Sequence, residues 1–382
     1  MIAYGRQDIR NEDVEAVVAV LESDWLTQGP VVPAFEQALA SHCNARYAVA
    51  VSSGTAALHV ACMAMGLGEG DALWTSPNTF VASANCALYC GATVDFVDID
   101  PATRNLSLAA LTAKLEQADR EGCLPKIVVA VDFAGLPCEL RALRELADRY
   151  GFKLIEDACH SLGGAYAGQA VGACHYADAV VFSLHPVKNI TAGEGGVIVT
   201  EDPQLAERAA RLRSHGITRG GSDTQTLEPW YYQQTELGYN YRLSDIHAAL
   251  GLSQLPRLAD YIDKRRSLAA AYDQRFADSP LRPLVEPSGV RCAYHLYVVE
   301  IDEDAAVERP ALFAHCREAG IGVNVHYIPV YWQPVYRRLG FEPGHCPATE
   351  RYYSRCLTLP LHPGLDEDAV HSISTLVKEA LQ

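Results

Sequence analysis

The sequence predicts an α/β layer fold, with a mostly parallel seven-stranded sheet covered by helices in a large unit and a smaller α/β unit at the C-terminus. Three observations predict it. Between residues 46 and 200, short β-branched runs alternate with helix-like patterns, as in a sheet whose crossovers are helical. Glycines stand where those helical patterns should stop. The chain has 382 residues, and single cores stop growing near about 250–300, so a second unit is expected.

In chain order, the expected strands are 47–51, 73–75, 93–97, 127–131, 153–156, 179–182 and 197–200. The helices between them are 55–65, 81–89, 108–118 and 140–150, followed by Gly66, Gly91, Gly122 and Gly151. After a loop over 218–237, residues 243–277 read as one long helical stretch in which Pro256 forces a break or kink, because proline lacks the N–H a helix interior needs. Strands 294–301 and 322–326 and helices 309–319 and 367–381 would build the smaller unit. The expected division is 1–245 for the large unit and 246–382 for the small one, with about residues 1–25 packing on the small unit. No internal repeat or low-complexity segment occurs.

Composition narrows the function. With 49% hydrophobic and 20% charged residues, the chain has material for a large core. A net charge of −16 without a Lys/Arg run argues against a nucleic-acid partner, which needs a basic stripe. An anionic substrate would have to be captured by local basic groups against that field. Residues Met1-Ile2-Ala3-Tyr4-Gly5-Arg6 lack the pattern of a secretion signal, and no apolar run is long enough for a bilayer, so a cytoplasmic protein with no membrane partner is expected. The twelve cysteines are scattered without a CxxC, and the nearest pair, Cys86 and Cys90, falls in a helical pattern. They read as small buried hydrophobes, and no metal is expected.

Four short motifs carry chemistry. Ser52-Ser53-Gly54-Thr55-Ala56-Ala57-Leu58 follows one strand, Asn78-Thr79-Phe80 the next, Glu156-Asp157-Ala158-Cys159-His160 another, and Phe182-Ser183-Leu184-His185-Pro186-Val187-Lys188 another. Lys188 precedes Thr191-Ala192-Gly193-Glu194-Gly195-Gly196, whose small residues admit a bulky group. Lysine forms Schiff bases with aldehydes when desolvation lowers its pKa, although a solvated lysine in a glycine-rich turn has the same local sequence. Asp157 ends an apolar run, so its carboxylate emerges at the mouth of the sheet, and an aspartate there also caps helices. Gly54 and Thr55 open a helix and so offer N–H groups to a phosphate, as an ordinary cap would too.

Together and in this order, the motifs resemble the sugar aminotransferases of the DegT/DnrJ/EryC1/StrS family, across essentially the whole chain. The resemblance implies the aspartate-aminotransferase-like fold, the pyridoxal-phosphate-dependent transferase fold type I. It implies pyridoxal 5'-phosphate, alternating with its pyridoxamine form, as cofactor, held by Lys188 as a Schiff base. Asp157 would pair with the pyridine nitrogen, keeping it protonated. Gly54, Thr55 and Ser183 would hold the phosphate, Phe80 would stack on the ring, and His160 stands near the ring hydroxyl where many relatives carry Gln. In Leu237-Gly238-Tyr239-Asn240-Tyr241-Arg242, similar to the family's GYNYR stretch, Asn240 would reach the phosphate of a neighbouring subunit, which implies a homodimer with shared active sites. A polar turn before a helix reads the same locally.

A finer resemblance, to the branch that aminates a UDP-linked 4-keto-6-deoxy hexose on the route to pseudaminic acid, rests on several further stretches. These are Tyr4-Gly5-Arg6-Gln7, Trp25-Leu26-Thr27-Gln28-Gly29-Pro30, Arg213-Ser214-His215-Gly216-Ile217, Glu228-Pro229-Trp230-Tyr231-Tyr232 and Val325-His326-Tyr327-Ile328-Pro329-Val330-Tyr331. By that similarity Tyr4, Asp24, Trp25, Leu26, Thr27, Asn324, Val325, His326 and Tyr327 would surround the nucleotide sugar, with glutamate as amino donor. Arg219 and Arg242 are candidates for the diphosphate, because a guanidinium fork matches phosphate geometry. Trp230, Tyr231 and Tyr232 either anchor their loop or touch sugar. The alternatives are an aminotransferase for another dTDP- or UDP-linked 3- or 4-keto sugar, or a pyridoxamine-phosphate-dependent sugar dehydratase. The dehydratases typically carry His where Lys188 stands. A pyridoxal-binding regulator would need a DNA-binding module that the length and charge do not provide. A dinucleotide oxidoreductase rests only on Gly66-Leu67-Gly68-Glu69-Gly70, which ends a helix instead of opening one.

Overall fold

Apolar runs bury a seven-stranded sheet at the centre of the large unit in a computed structural model that describes residues 2–218 and 230–381. In chain order its elements are α1 (Asn11–Leu21), α2 (Val31–Cys43), β1 (Tyr47–Val51), α3 (Gly54–Ala64), β2 (Ala72–Thr75), α4 (Ala82–Tyr89), β3 (Thr93–Phe96) and α5 (Leu108–Glu121). There follow β4 (Ile127–Val131), α6 (Leu140–Tyr150), β5 (Lys153–Asp157), β6 (Ala179–Ser183), β7 (Gly196–Thr200), α7 (Pro203–Leu212), α8 (Asp245–Gln254) and α9 (Leu258–Phe276). The strand order is β1-β7-β6-β5-β4-β2-β3, and only β7 runs against its neighbours. All seven expected strands are present, each within a residue of its expected bounds. Strand β4, Ile-Val-Val-Ala-Val, is buried at every position, as a sheet covered on both faces requires.

The period-2 pattern sorts the strand side chains between two apolar layers. Ala50, Val128, Ala130, Leu154, Val180 and Phe182 face one layer, and Val49, Val51, Val129, Ile155, Val181 and Ile198 the other. The expected stop glycines take left-handed conformations, with φ of 76° at Gly66, 74° at Gly91, 70° at Gly122 and 79° at Gly151. Ser53, Ser107, Asp202 and Ser244 cap α3, α5, α7 and α8.

The long helical stretch breaks at Pro256 as expected, into α8, a short turn and α9. Helix α9 leaves the large unit's core at Leu258 and Ile262 and enters a third apolar cluster at Leu268, Tyr272 and Phe276. There β8 (Leu281–Pro283), β9 (Tyr297–Ile301) and β10 (Cys356–Leu359) form an antiparallel sheet in the order β8-β9-β10, packed by helices Arg309–Glu318 and Glu367–Ala380. Residues 322–326 are not a strand: Asn324 bridges Thr358 at a single position, while Gly322 bonds Ile2 on the N-terminal segment. Because the backbone partners change within two residues, no ladder forms. Strand β9 begins at Tyr297 and not at residue 294, because Tyr294 has φ 45° and so interrupts the extended run. At the N-terminus, Ile2 bridges Ile321, whereas α1 packs along α8, with buried Asp13 accepting bonds from Arg257 and Ser253.

Candidate active site

The C-terminal ends of β2, β4, β5 and β6 and the start of α3 open onto one crevice, where parallel α/β sheets place their ligands. The crevice is a cavity of about 620 Å³, within the size of small-ligand sites. Lys188, Asp157, Gly54, Thr55, Phe80, His160, Ser183, Tyr4, Asn324, Val325, His326 and Tyr327 all line it. The structure thus brings together twelve of the residues singled out in the sequence, from both units.

Lys188 lies in the connection between β6 and β7, a loop stapled by Leu184 and Gly195 (2.8 Å) and by the Thr191 hydroxyl on the Leu184 carbonyl (2.9 Å). Its side chain reaches the cavity but is densely surrounded by protein. Burial lowers its pKa below the ordinary lysine value, and the negative charge of Asp157 offsets this only in part. Among the described residues lining the cavity, Lys188 is the one lysine or arginine.

Asp157 is the last residue of β5 and is buried. Its Oδ2 accepts from the Ser83 hydroxyl at 2.6 Å and its Oδ1 from the Cys159 N–H at 3.2 Å. These two donors fix the direction in which the carboxylate presents itself. Cys159 lines the cavity too, and burial followed by the Asp157 charge pushes its thiol far above its usual pKa, so it serves as packing rather than as a nucleophile.

The N-terminus of α3 forms the phosphate-sized end. Ser53 caps the helix through the Ala56 N–H (3.1 Å), and Ser183 faces Gly54 across the cavity floor. A Cβ on Gly54 would stand 2.9 Å from the Ser183 Cβ and 3.3 Å from the Cys159 Sγ, so glycine keeps this cradle open. Phe80 is 60% exposed, an unusual state for a phenylalanine that lines a cavity and one that suits stacking on a flat ring. On the opposite wall, the His160 Nε2 meets the Tyr327 hydroxyl at 3.3 Å, which supplies the partner missing from the sequence reading. Burial, then the Lys188 charge, depresses His160 well below its usual pKa, and His326 is pushed down to about 3 in the same way.

Other expected site residues lie elsewhere in the chain. Asp24, Trp25, Leu26 and Thr27 do not line the cavity; Trp25 borders a separate apolar groove with Val20 and Leu252, and the Thr27 carbonyl receives the Asp245 N–H. Asn240 and Arg242 are held by bridges to Ser214 and Val51, also outside the cavity. Arg219, Glu228 and Pro229 fall outside the described residues, whereas Trp230, Tyr231 and Tyr232 are exposed. Sequence reasoning missed Ser53, Thr79, Ser83, Glu194 and His295 as lining residues. Ser53 and Thr79 stand inside the quoted motifs, but Ser83 and His295 carry no local signal.

A buried aldehyde-reactive amine, an oriented carboxylate and a helix N-terminus in one cavity make a donor set for a phosphorylated, aldehyde-bearing ring with a basic nitrogen. The profile of the DegT/DnrJ/EryC1/StrS aminotransferase family matches residues 7–378. The chain belongs to that family. The spore coat polysaccharide biosynthesis protein SpsC of Bacillus subtilis is 36% identical, covering 100% of this chain and 97% of the relative. Among solved structures, the sugar aminotransferase Spr1654 from Streptococcus pneumoniae in its PMP form superposes with a TM-score of 0.92 at 29% identity, covering 100% of this chain and 99% of that one. Helicobacter pylori PseC, an aminotransferase of pseudaminic acid biosynthesis, superposes with a TM-score of 0.91 at 31% identity and the same coverage. As a DegT/DnrJ/EryC1/StrS member, the chain is a pyridoxal-phosphate-dependent sugar aminotransferase. Among the described residues no helix is long and apolar enough to cross a membrane.

Proposed function

We propose that this aminotransferase moves an amino group from glutamate to C4 of a UDP-linked 4-keto-6-deoxy-N-acetylhexosamine, in the formation of pseudaminic acid, as a cytoplasmic homodimer with shared sites. One observation carries the site assignment: an amine of depressed basicity, Lys188, shares a buried cavity with the oriented carboxylate of Asp157. The sugar assignment is supported by the likeness to PseC across the whole chain. It is supported too by the gathering of Tyr4 and residues 324–327 at the cavity's open wall.

Pyridoxal phosphate, when bound, supplies an aldehyde carbon that condenses with amines and a ring that draws electrons from the carbon losing its proton. Lys188 Nζ would be the group that holds the cofactor through its aldehyde. Its lowered pKa leaves more of the amine unprotonated near neutrality, which both nucleophilic attack and proton abstraction require. Freed, Lys188 Nζ takes the proton from the donor's α-carbon, and in the second half it returns a proton to C4 of the sugar. Asp157, fixed by Ser83 and the Cys159 N–H, would keep the cofactor's ring nitrogen protonated. Gly54, Thr55 and Ser183 would hold its phosphate through helix N–H groups and a hydroxyl. Asn240 would complete the neighbouring subunit's phosphate site.

The test is product analysis after incubating purified protein with glutamate and a panel of nucleotide-linked keto sugars. A 4-amino product from the UDP-linked 4-keto sugar is expected. Deoxygenation without amino transfer, or amination of a 3-keto or dTDP-linked sugar alone, would reject this reading.

A further inference from the structure

His295 has no part in the assignments above, yet several constraints converge on it. It lines the cavity, is only 5% exposed, and packs its ring 4.5 Å from that of His160. Its backbone stands between Tyr294, which takes the left-handed φ of 45° rarely adopted by bulky residues, and Leu296, whose N–H bonds the Ala134 carbonyl. Arg265, fully buried, spends one nitrogen on the carbonyls of Tyr294 (3.3 Å), His295 (3.2 Å) and Leu361 (2.9 Å). A Cβ on Gly135 would stand 3.0 Å or less from the backbone of His160, Tyr294 and His295, so the two histidine-bearing segments close on the same turn.

The unpartnered nitrogens decide where the protons sit. The Nδ1 atoms of both His160 and His295 are buried without a hydrogen-bond partner. A buried N–H without an acceptor is the rarer and costlier vacancy, so each neutral ring carries its proton on Nε2. His160 then donates from Nε2 to the Tyr327 oxygen at 3.3 Å, which leaves the Tyr327 O–H to point elsewhere. Burial keeps that phenol protonated. The His295 Nε2–H has no acceptor among the described residues. His326 is different: Thr358 engages its Nδ1 at 2.7 Å and Asn324 approaches its Nε2. The cavity wall therefore carries two donors, from His295 and Tyr327, that no acceptor among the described residues engages.

We propose that His295 and Tyr327 form a two-donor subsite for the α-carboxylate of the amino donor. The donor's nitrogen takes the place of Lys188 Nζ, and its carboxylate lies two bonds from that nitrogen. His160, His295, His326 and Tyr327 line the same cavity as Lys188, which places this wall within the space a bound donor would occupy. Two N–H/O–H donors suit an oxygen acceptor, and an α-carboxylate offers two such oxygens.

The proposal rests on the donor being an α-amino acid, and its test needs no sugar. The donor half-reaction of the holoenzyme is followed by the change in cofactor absorbance, with glutamate and with its α-amide, isoglutamine. Wild type should prefer the carboxylate by roughly tenfold or more, as loss of a charge-assisted pair implies. His295→Phe, which keeps the ring volume, should reduce that preference about tenfold and slow the donor half-reaction about tenfold more than the sugar half-reaction. His295→Gln, which keeps an N–H, should retain most of the preference. Tyr327→Phe, a smaller change, should erode it in the same direction. An unchanged preference in both aromatic variants, or a loss confined to the sugar half-reaction, overturns the proposal. If glutamate is not accepted, the α-amino acid that does convert the cofactor replaces it with its own α-amide. A failure of the UDP-sugar assignment leaves this readout intact.

Discussion

Lys188 and Asp157 do unequal work, and their substitutions should differ in kind. Lys188→Ala should cost about 10²–10⁴-fold in both half-reactions, because one amine moves the proton in each; stopped-flow absorbance checks this. Borohydride should fix the cofactor to the Lys188 peptide, and label on another lysine would refute the assignment. Asp157→Ala should keep the covalent link yet lose most turnover and bind cofactor more weakly, as a titration of the visible absorbance would show. Burial depresses the Lys188 pKa, so in cofactor-free protein its acylation should reach a plateau below the pH at which exposed lysines do; mass mapping across pH tests the sign. These two residues were legible because Asp157 ends a strand pattern and Lys188 follows one five residues on, each inside a motif with a spacing of its own. Ser83 and His295 were not, because each meets its partner in the site, Asp157 or His160, across about 74 or 135 residues of sequence, and no local pattern encodes that approach.

At the scale of elements, caps and strands were readable from turn chemistry and period-2 burial, whereas of the small sheet only its central strand, Tyr297–Ile301, was. Residues 322–326 carry strand composition, but their hydrogen bonds are divided between the N-terminal segment and Thr358. Ser53→Ala should cost about 1 kcal/mol through loss of the α3 cap and should weaken phosphate binding in parallel; thermal unfolding with and without cofactor separates the two effects. Beneath Asp157, the ends of β4 and β5 bury Asp132 and Glu156 side by side. Asp132 accepts from Ser161 (2.6 Å) and the Cys138 N–H (2.9 Å), while Glu156 Oε1 has no partner. Burial and the charge of Asp132 hold Glu156 protonated, with a folded pKa far above that of the unfolded chain. Its favourable state is complete below the unfolded pKa of about 4 and is lost as pH rises towards the folded value. Glu156→Gln should therefore gain in Tm relative to wild type as pH climbs from about 4 to 8, and a gap independent of pH would disprove the neutral-acid assignment.

For the whole molecule, Val14, Val18 and Leu21 on α1 and Leu26 beyond it are exposed apolar residues, and exposed Trp25 lines a groove between α1 and α8. A second copy of the chain is the proposed occupant, since Asn240 and residues 24–27 stand outside their own subunit's cavity. Sedimentation should give twice the 41.5 kDa chain mass, and Leu21→Asp should shift the population towards single chains with parallel loss of activity. The α/β layering was legible throughout because it follows from local pattern. The path of α9 between two cores was not, because its apolar face reads the same whichever core it meets. The stapled connection between β6 and β7 has a consequence for how such an enzyme diversifies. Its nucleophile is moored at both ends to adjacent rails of one sheet, whereas Tyr4 and residues 324–327 arrive from the two ends of the chain. Evolution, or an engineer, is therefore able to re-tailor the far wall for a new sugar without retuning the reactive amine.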